Sequence, residues 1–154
     1  MSQHETTPQK MQVGFLRSCI DKRFVEVTRA YVEQVIGLEA DAYYHEAVAG
    51  GALGFPPPLN GADYVYHQAF VKEKFDLVCM VWQVHYDDCG GLPPEQNDPR
   101  YNNNKIFADF FDVFLSKDPL ISFQLRYPLV QRHIFLIARL DDHGEPFVEV
   151  APFD

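Results

Sequence analysis

The residues with the greatest chemical capacity fall in three short clusters. Cys19-Ile20-Asp21-Lys22-Arg23 sets a thiol, a carboxylate and a guanidinium at alternate positions. Ala49-Gly50-Gly51 is a turn with almost no side chain. His85-Tyr86-Asp87-Asp88-Cys89-Gly90-Gly91 carries an imidazole, two carboxylates and a second thiol. Thiolate and imidazole are preferred ligands of zinc, so two Cys and one His would supply most of a tetrahedral shell. Two thiolates would offset the charge of the dication, and an open fourth position would hold water whose proton the metal makes easier to remove. Arg23 can hold the Asp21 carboxylate in a two-point grip. That pair would either keep Asp21 off the metal or release it into the open position.

Each residue also has a plainer reading. A Cys inside an apolar strand is usually a small core residue, and Cys79 is read that way. Cys19 and Cys89 lie instead among charges at expected strand ends, though each could also be plain structure. His67 falls in a helix pattern and His133 in a strand pattern, as core-edge or surface residues, and His143 falls in a turn. His45, on the strand leading to Ala49-Gly50-Gly51, is harder to set aside. Tyr43 and Tyr44 are read as core.

The elements that must position these clusters follow from apolar spacing. Val13-Gly14-Phe15-Leu16 reads as a short buried strand that stops at Ser18 to Arg23. Phe24, Val25, Val27, Tyr31, Val32, Val35 and Ile36 recur at helical intervals, and Gly37 suits a helix end. A second strand is predicted over 40–48. A helix follows over 63–75 with Tyr64, Val65, Ala69, Phe70 and Val71 on its apolar side. The run 76–84 is nearly all apolar, as in a strand buried on both faces. A polar loop over 93–104 leads to a third helix over 105–115, and 118–131 gives no clear signal. A strand over 133–140, a turn at Asp141-Asp142-His143-Gly144 and a strand over 147–150 form a hairpin.

This alternation predicts an α/β fold: a mostly parallel central sheet flanked by helices, with a C-terminal antiparallel hairpin strand. Ligands of such sheets bind outside the carboxyl ends of the strands, near a topological switch. All three clusters are expected there. Residues 1–12 read as a flexible N-terminus and 13–154 as a single domain.

Bulk composition agrees. The 154 residues are 47% apolar and 23% charged, enough for one domain with a sizeable core. Thirteen basic against 22 acidic residues give a net charge of −9. Such a chain has no electrostatic footprint for nucleic acid or for an anionic membrane. Three cysteines make a poor disulfide framework. No apolar run approaches the roughly 20 residues of a membrane span, and the first dozen residues contain no apolar signal segment. The expectation is a soluble, cytoplasmic, globular domain.

On these clusters, taken in order, the sequence resembles the β-class carbonic anhydrases. Cys19-Ile20-Asp21-Lys22-Arg23 matches the family's Cys-x-Asp-x-Arg, and Ala49-Gly50-Gly51 is similar to its Ala-Gly-Gly turn. Cys89-Gly90 satisfies part of His-x-x-Cys-Gly, and Leu140-Asp141-Asp142-His143-Gly144 resembles the family's closing strand and turn. The resemblance spans about residues 13 to 150. It implies Zn2+ held by Cys19, His85 and Cys89, with Asp21 and Arg23 as the catalytic pair. Gly50 and Gly51 would allow close backbone approach near the metal and the substrate. The implied reaction is hydration of carbon dioxide to bicarbonate by a metal-bound hydroxide, in a homodimer or higher homo-oligomer.

This chain departs from the pattern in one spacing. His85-x-x-x-Cys89 is one residue longer than His-x-x-Cys, so alignment on Cys89 puts Tyr86 at the ligand position. Neighbouring strand residues face opposite ways, so His85 is expected to point away unless a bulge absorbs the extra residue. Asp87 and Asp88 are alternative oxygen donors. No counterpart of the family's N-terminal helical arm is expected in residues 1–12. The same chemistry would suit hydrolysis of carbonyl sulfide or carbon disulfide. A degenerate relative with a structural or regulatory role is the further alternative. A phosphatase-like use of Cys19 with Arg23 is disfavoured, because three residues separate them rather than five and no glycine-rich cradle follows. No Gly-x-Gly-x-x-Gly or phosphate-loop pattern supports nucleotide binding.

Overall fold

A computed structural model describes residues 10–48, 51, 60–85 and 123–150. The expected roles of Gly50 and Cys89, and the helix expected over 105–115, lie outside the described residues. The elements are β1 (Gln12–Cys19), α1 (Lys22–Tyr31) running on into a π-helical turn (Val32–Ile36), β2 (Tyr43–Val48), α2 (Asn60–Phe70), β3 (Asp76–His85), β4 (Arg132–Leu140) and β5 (Pro146–Val150).

The five strands form one sheet in the order β2-β1-β3-β4-β5. β1 is parallel to both β2 and β3, and β3 is parallel to β4. β5 returns antiparallel to β4. The fold is therefore α/β, with a mostly parallel sheet and a C-terminal antiparallel strand. From β1 the chain moves outward to β2, then crosses back over β1 to β3. Right-handed crossovers on these two paths place α1 and α2 on opposite faces. The core accordingly has two parts. Leu16, Val32, Cys79, Val81 and Leu136 pack on the α1 side. Phe15, Val65, Ala69, Met80 and Trp82 pack on the α2 side. Among the described residues, no helix is long and apolar enough to cross a membrane.

The boundaries differ from the sequence expectation for local reasons. β1 continues past Leu16 to Cys19 because its polar residues have partners inside the fold. Arg17 Nε donates to the Gly51 carbonyl at 2.9 Å and its guanidinium pairs with Glu46. Ser18 Oγ lies 2.6 Å from His45 Nε2. α1 starts at Lys22 rather than Phe24 because the Asp21 side chain caps it, accepting the Arg23 amide at 2.9 Å. The helix stops at Gly37, which takes the left-handed conformation with φ 93°. β2 starts at Tyr43 rather than at 40, since Ala42 N–H closes a turn onto the Glu39 carbonyl at 2.8 Å.

α2 begins and ends earlier than its apolar pattern predicts. It buries Ala62, Val65 and Ala69, while Tyr64 and Val71, expected on the apolar side, are exposed at 64% and 63%. Tyr44, expected in the core, is 48% exposed. The stretch without a clear signal contains a helical turn at 123–126. Phe123 there stacks flat on Trp82, with ring centroids 3.9 Å apart. Trp82 Nε1 donates to His133 Nδ1 at 3.2 Å, and His133 Nε2 lies 3.1 Å from the Tyr127 carbonyl. An indole nitrogen only donates, so Nδ1 must accept and Nε2 must carry the proton. His133 is thereby fixed as one neutral tautomer.

Candidate functional site

Cys19 ends β1 and His85 ends β3, and these strands are neighbours. Because β2 and β3 lie on opposite sides of β1, the crevice between the ends of β1 and β3 is the switch point of the sheet. There the two side chains meet across 66 residues of sequence, with His85 Nε2 3.2 Å from Cys19 Sγ. Alignment of the motif on Cys89 puts Tyr86 at the ligand position and turns its neighbour His85 away; instead the His85 ring turns toward Cys19. β3 extends through His85, and Gln83 and His85 both face α1. The ring of Phe24, from the first turn of α1, stacks on the imidazole with centroids 4.7 Å apart and 29° between planes. That contact fixes the rotation of the His85 ring.

Asp21 and Arg23 stand beside the pair. Arg23 grips the carboxylate at two points, Nε to Oδ1 at 3.0 Å and Nη2 to Oδ2 at 2.7 Å. The hydrogen bond from Arg23, foremost, holds the Asp21 carboxyl below its ordinary pKa against partial burial. Asp21 is therefore ionised at neutral pH, with Oδ2 3.6 Å from His85 Nε2. As the cap of α1, Asp21 is anchored by backbone as well as by side chain.

Gly51 closes the crevice from β2. Its φ is +56°, and a Cβ there would collide with the Gln83 carbonyl oxygen and lie 2.9 Å from the Cys19 nitrogen. Only glycine fits the space between the two strand ends. Arg17, buried at 1% exposure, holds the Gly51 carbonyl from β1. The Arg17–Glu46 pair reaches α2 at Gly61, where a side chain would collide with the Glu46 carboxylate.

The donor set fits part of a zinc shell. With Zn–S of about 2.3 Å and Zn–N of about 2.0–2.1 Å, two tetrahedral ligands stand roughly 3.5 Å apart. The Cys19–His85 separation of 3.2 Å is close to that value. Among the described residues, no group of three or more His, Cys, Asp or Glu side chains is arranged to hold a metal ion. Cys89, the third expected ligand, lies outside the described residues, as do Asp87 and Asp88.

The other candidate residues stand elsewhere. Cys79 is buried in the core, and burial pushes its thiol up to about 11. His67 is exposed on α2 and His143 in the β4–β5 turn. His45 pairs with Ser18 and is held below its ordinary pKa, first by burial and then by the charge of Arg29. Sequence reasoning misses three residues that shape the site: Phe24, Arg17 and Gln83. Phe24 reads only as core, and the other two are polar residues inside apolar strands, a signal that could single them out. Comparison of the chain with protein-family models, with curated proteins and with solved structures finds no match.

Proposed function

We propose that this chain is a zinc-dependent hydratase of carbon dioxide, a divergent relative of the β-class carbonic anhydrases. The observation that carries the reading is the 3.2 Å approach of Cys19 Sγ to His85 Nε2 at the switch point of a parallel sheet. Cys19 and His85 would hold the ion, with Cys89 the third ligand that the sequence offers. When bound there, zinc would polarise water and make its proton easier to remove.

The chain's own residues supply the rest. Phe24 holds the His85 ring at one angle and keeps water off one of its faces. Asp21, ionised and held by Arg23, offers a carboxylate oxygen 3.6 Å from His85 Nε2 that can accept a hydrogen bond from substrate water. Gly51 brings backbone rather than side chain against the Cys19 amide and the Gln83 carbonyl. Carbonyl sulfide and carbon disulfide fit the same chemistry.

The burial of both donors, Cys19 at 3% and His85 at 1%, favours a second reading. In it the ion is structural and the chain is a degenerate relative. Metal analysis of purified protein, followed by assays with carbon dioxide, carbonyl sulfide and carbon disulfide, separates the two. The hydratase reading expects one zinc per chain, lost in Cys19→Ala and His85→Ala, and turnover of at least one substrate. Stoichiometric zinc without turnover selects the structural reading. Zinc-free, folded protein whose Cys19 is alkylated by iodoacetamide refutes both.

A further inference from the structure

We propose that Gln83 is a positioning residue, whose buried amide sets Cys19 and α1 relative to His85. This rests on the reading of Cys19 and His85 as a shared metal-binding pair. Ile20 N–H bonds the Val48 carbonyl on the β2 side, so the preceding amide, that of Cys19, faces β3. Ladder pairing between β1 and β3 ends at Arg17 and Trp82, two residues too early to serve Cys19. The Gln83 side chain takes the place of the missing strand acceptor. Its Oε1 accepts the Cys19 N–H at 3.0 Å, and its Nε2 donates to Thr28 Oγ1 at 2.9 Å.

Both Gln83 and Thr28 are fully buried at 0% exposure. Neither hydrogen bond competes with bulk water, and leaving either group unpaired would be costly. One side chain thus joins the end of β1, the end of β3 and the middle of α1. α1 carries Asp21 at its cap and Phe24 against His85. Gln83 is also two residues from His85 on the same strand, so the geometry of four site residues depends on it. Gly51 fills the remaining gap against the Gln83 main chain. The crevice between β1 and β3 is therefore built around Gln83.

The test compares Gln83→Met, Gln83→Asn and Gln83→Glu with wild type. Methionine keeps the length without polar atoms, and asparagine keeps the amide but loses its reach. Glutamate retains groups for both partners. In metal-free protein, Gln83→Met should speed exchange of the Cys19 amide hydrogen roughly tenfold, with Phe15 and Leu16 unchanged. Its affinity for Co2+, read from the thiolate-to-cobalt absorption band, should fall by about 10–100-fold. Gln83→Glu should restore most of both.

Unchanged Cys19 exchange, or faster exchange along the whole of β1, would overturn the proposal. So would wild-type Co2+ affinity in Gln83→Met. If Gln83→Met does not fold, Gln83→Asn replaces it in both measurements, and the same results support or overturn the proposal. If wild-type protein takes up no Co2+, the metal reading falls, and Cys19 exchange alone decides whether Gln83 holds this residue.

Discussion

Replacing Gly51 with alanine tests the close approach that shapes the crevice. Two costs act at this position. A non-glycine residue held near φ +56° loses about 1–2 kcal/mol. The added methyl also meets main-chain atoms of Gln83 and Cys19, which belong to two paired strands and cannot swing aside. Forcing an extra carbon into such a contact costs about 1–3 kcal/mol. The sum is about 2–5 kcal/mol, a large share of a typical domain's stability. Gly144 provides the control, because its φ is +77° and a Cβ there meets nothing within 4 Å. Gly144→Ala should therefore lose only the backbone part, about 1–2 kcal/mol. Equilibrium urea unfolding followed by fluorescence of Trp82, the single tryptophan, reads both variants. The Gly51→Ala midpoint should lie below that of Gly144→Ala by roughly 0.5–2 M. Equal midpoints would refute the packing of Gly51 between the strand ends.

The remaining predictions concern titratable groups. Arg23→Ala should lower turnover while zinc is retained, because Asp21 loses the partner that holds it; unchanged turnover would remove Arg23 from the mechanism. Asp21 has a depressed folded pKa, so its contribution to stability is present above the ordinary carboxylate value and is lost as pH falls through the lower one. The urea-midpoint difference between wild type and Arg23→Ala should then shrink between pH 7 and pH 3. Burial also depresses His133. Its share of stability is complete above the ordinary histidine value and is lost on acidification through the folded one. Gln can replace both of its hydrogen bonds, so His133→Gln should lose less stability than wild type between pH 7 and pH 5. Cys79, with its thiol pushed up to about 11, should resist iodoacetamide at pH 8 in folded protein and react in urea, as read by peptide mass mapping.

Strand and helix patterns make the α/β order and the C-terminal hairpin legible. Long apolar runs such as 76–84 admit few alternatives, and the β4–β5 turn is spelled by Asp141-Asp142-His143-Gly144. Strand order is not legible, because it depends on which face each crossover takes. The direction of His85 escapes the sequence for a related reason. Alignment on Cys89 gives the ligand position to Tyr86 and turns His85 away, whereas β3 is registered on its neighbours through pairs such as Trp82 with Phe135 and His85 with Ala138. The inner polar residues are hidden by their surroundings. Arg17 reads as a break in an apolar strand until Glu46 and Gly51 stand beside it, from 29 and 34 residues away. Gln83 likewise has no local partner: its two contacts come from 64 and 55 residues upstream. Tyr64 and Val71 mislead in the opposite sense: α2 buries Val65 and Ala69 as expected, but Tyr64 stands on its exposed side and Val71 lies beyond its end.

The 66-residue separation of Cys19 and His85 has a consequence for synthesis. At about 5–20 residues per second, a ribosome adds that interval in roughly 3–13 s. During that time β3, the strand that brings His85, is still being made. The nascent Cys19 sulfur must therefore spend seconds without its histidine neighbour, open to stray oxidants or competing ions. Parallel strands joined by long crossovers also close late and slowly. The centre thus cannot form before β3 has been made, however early β1 emerges.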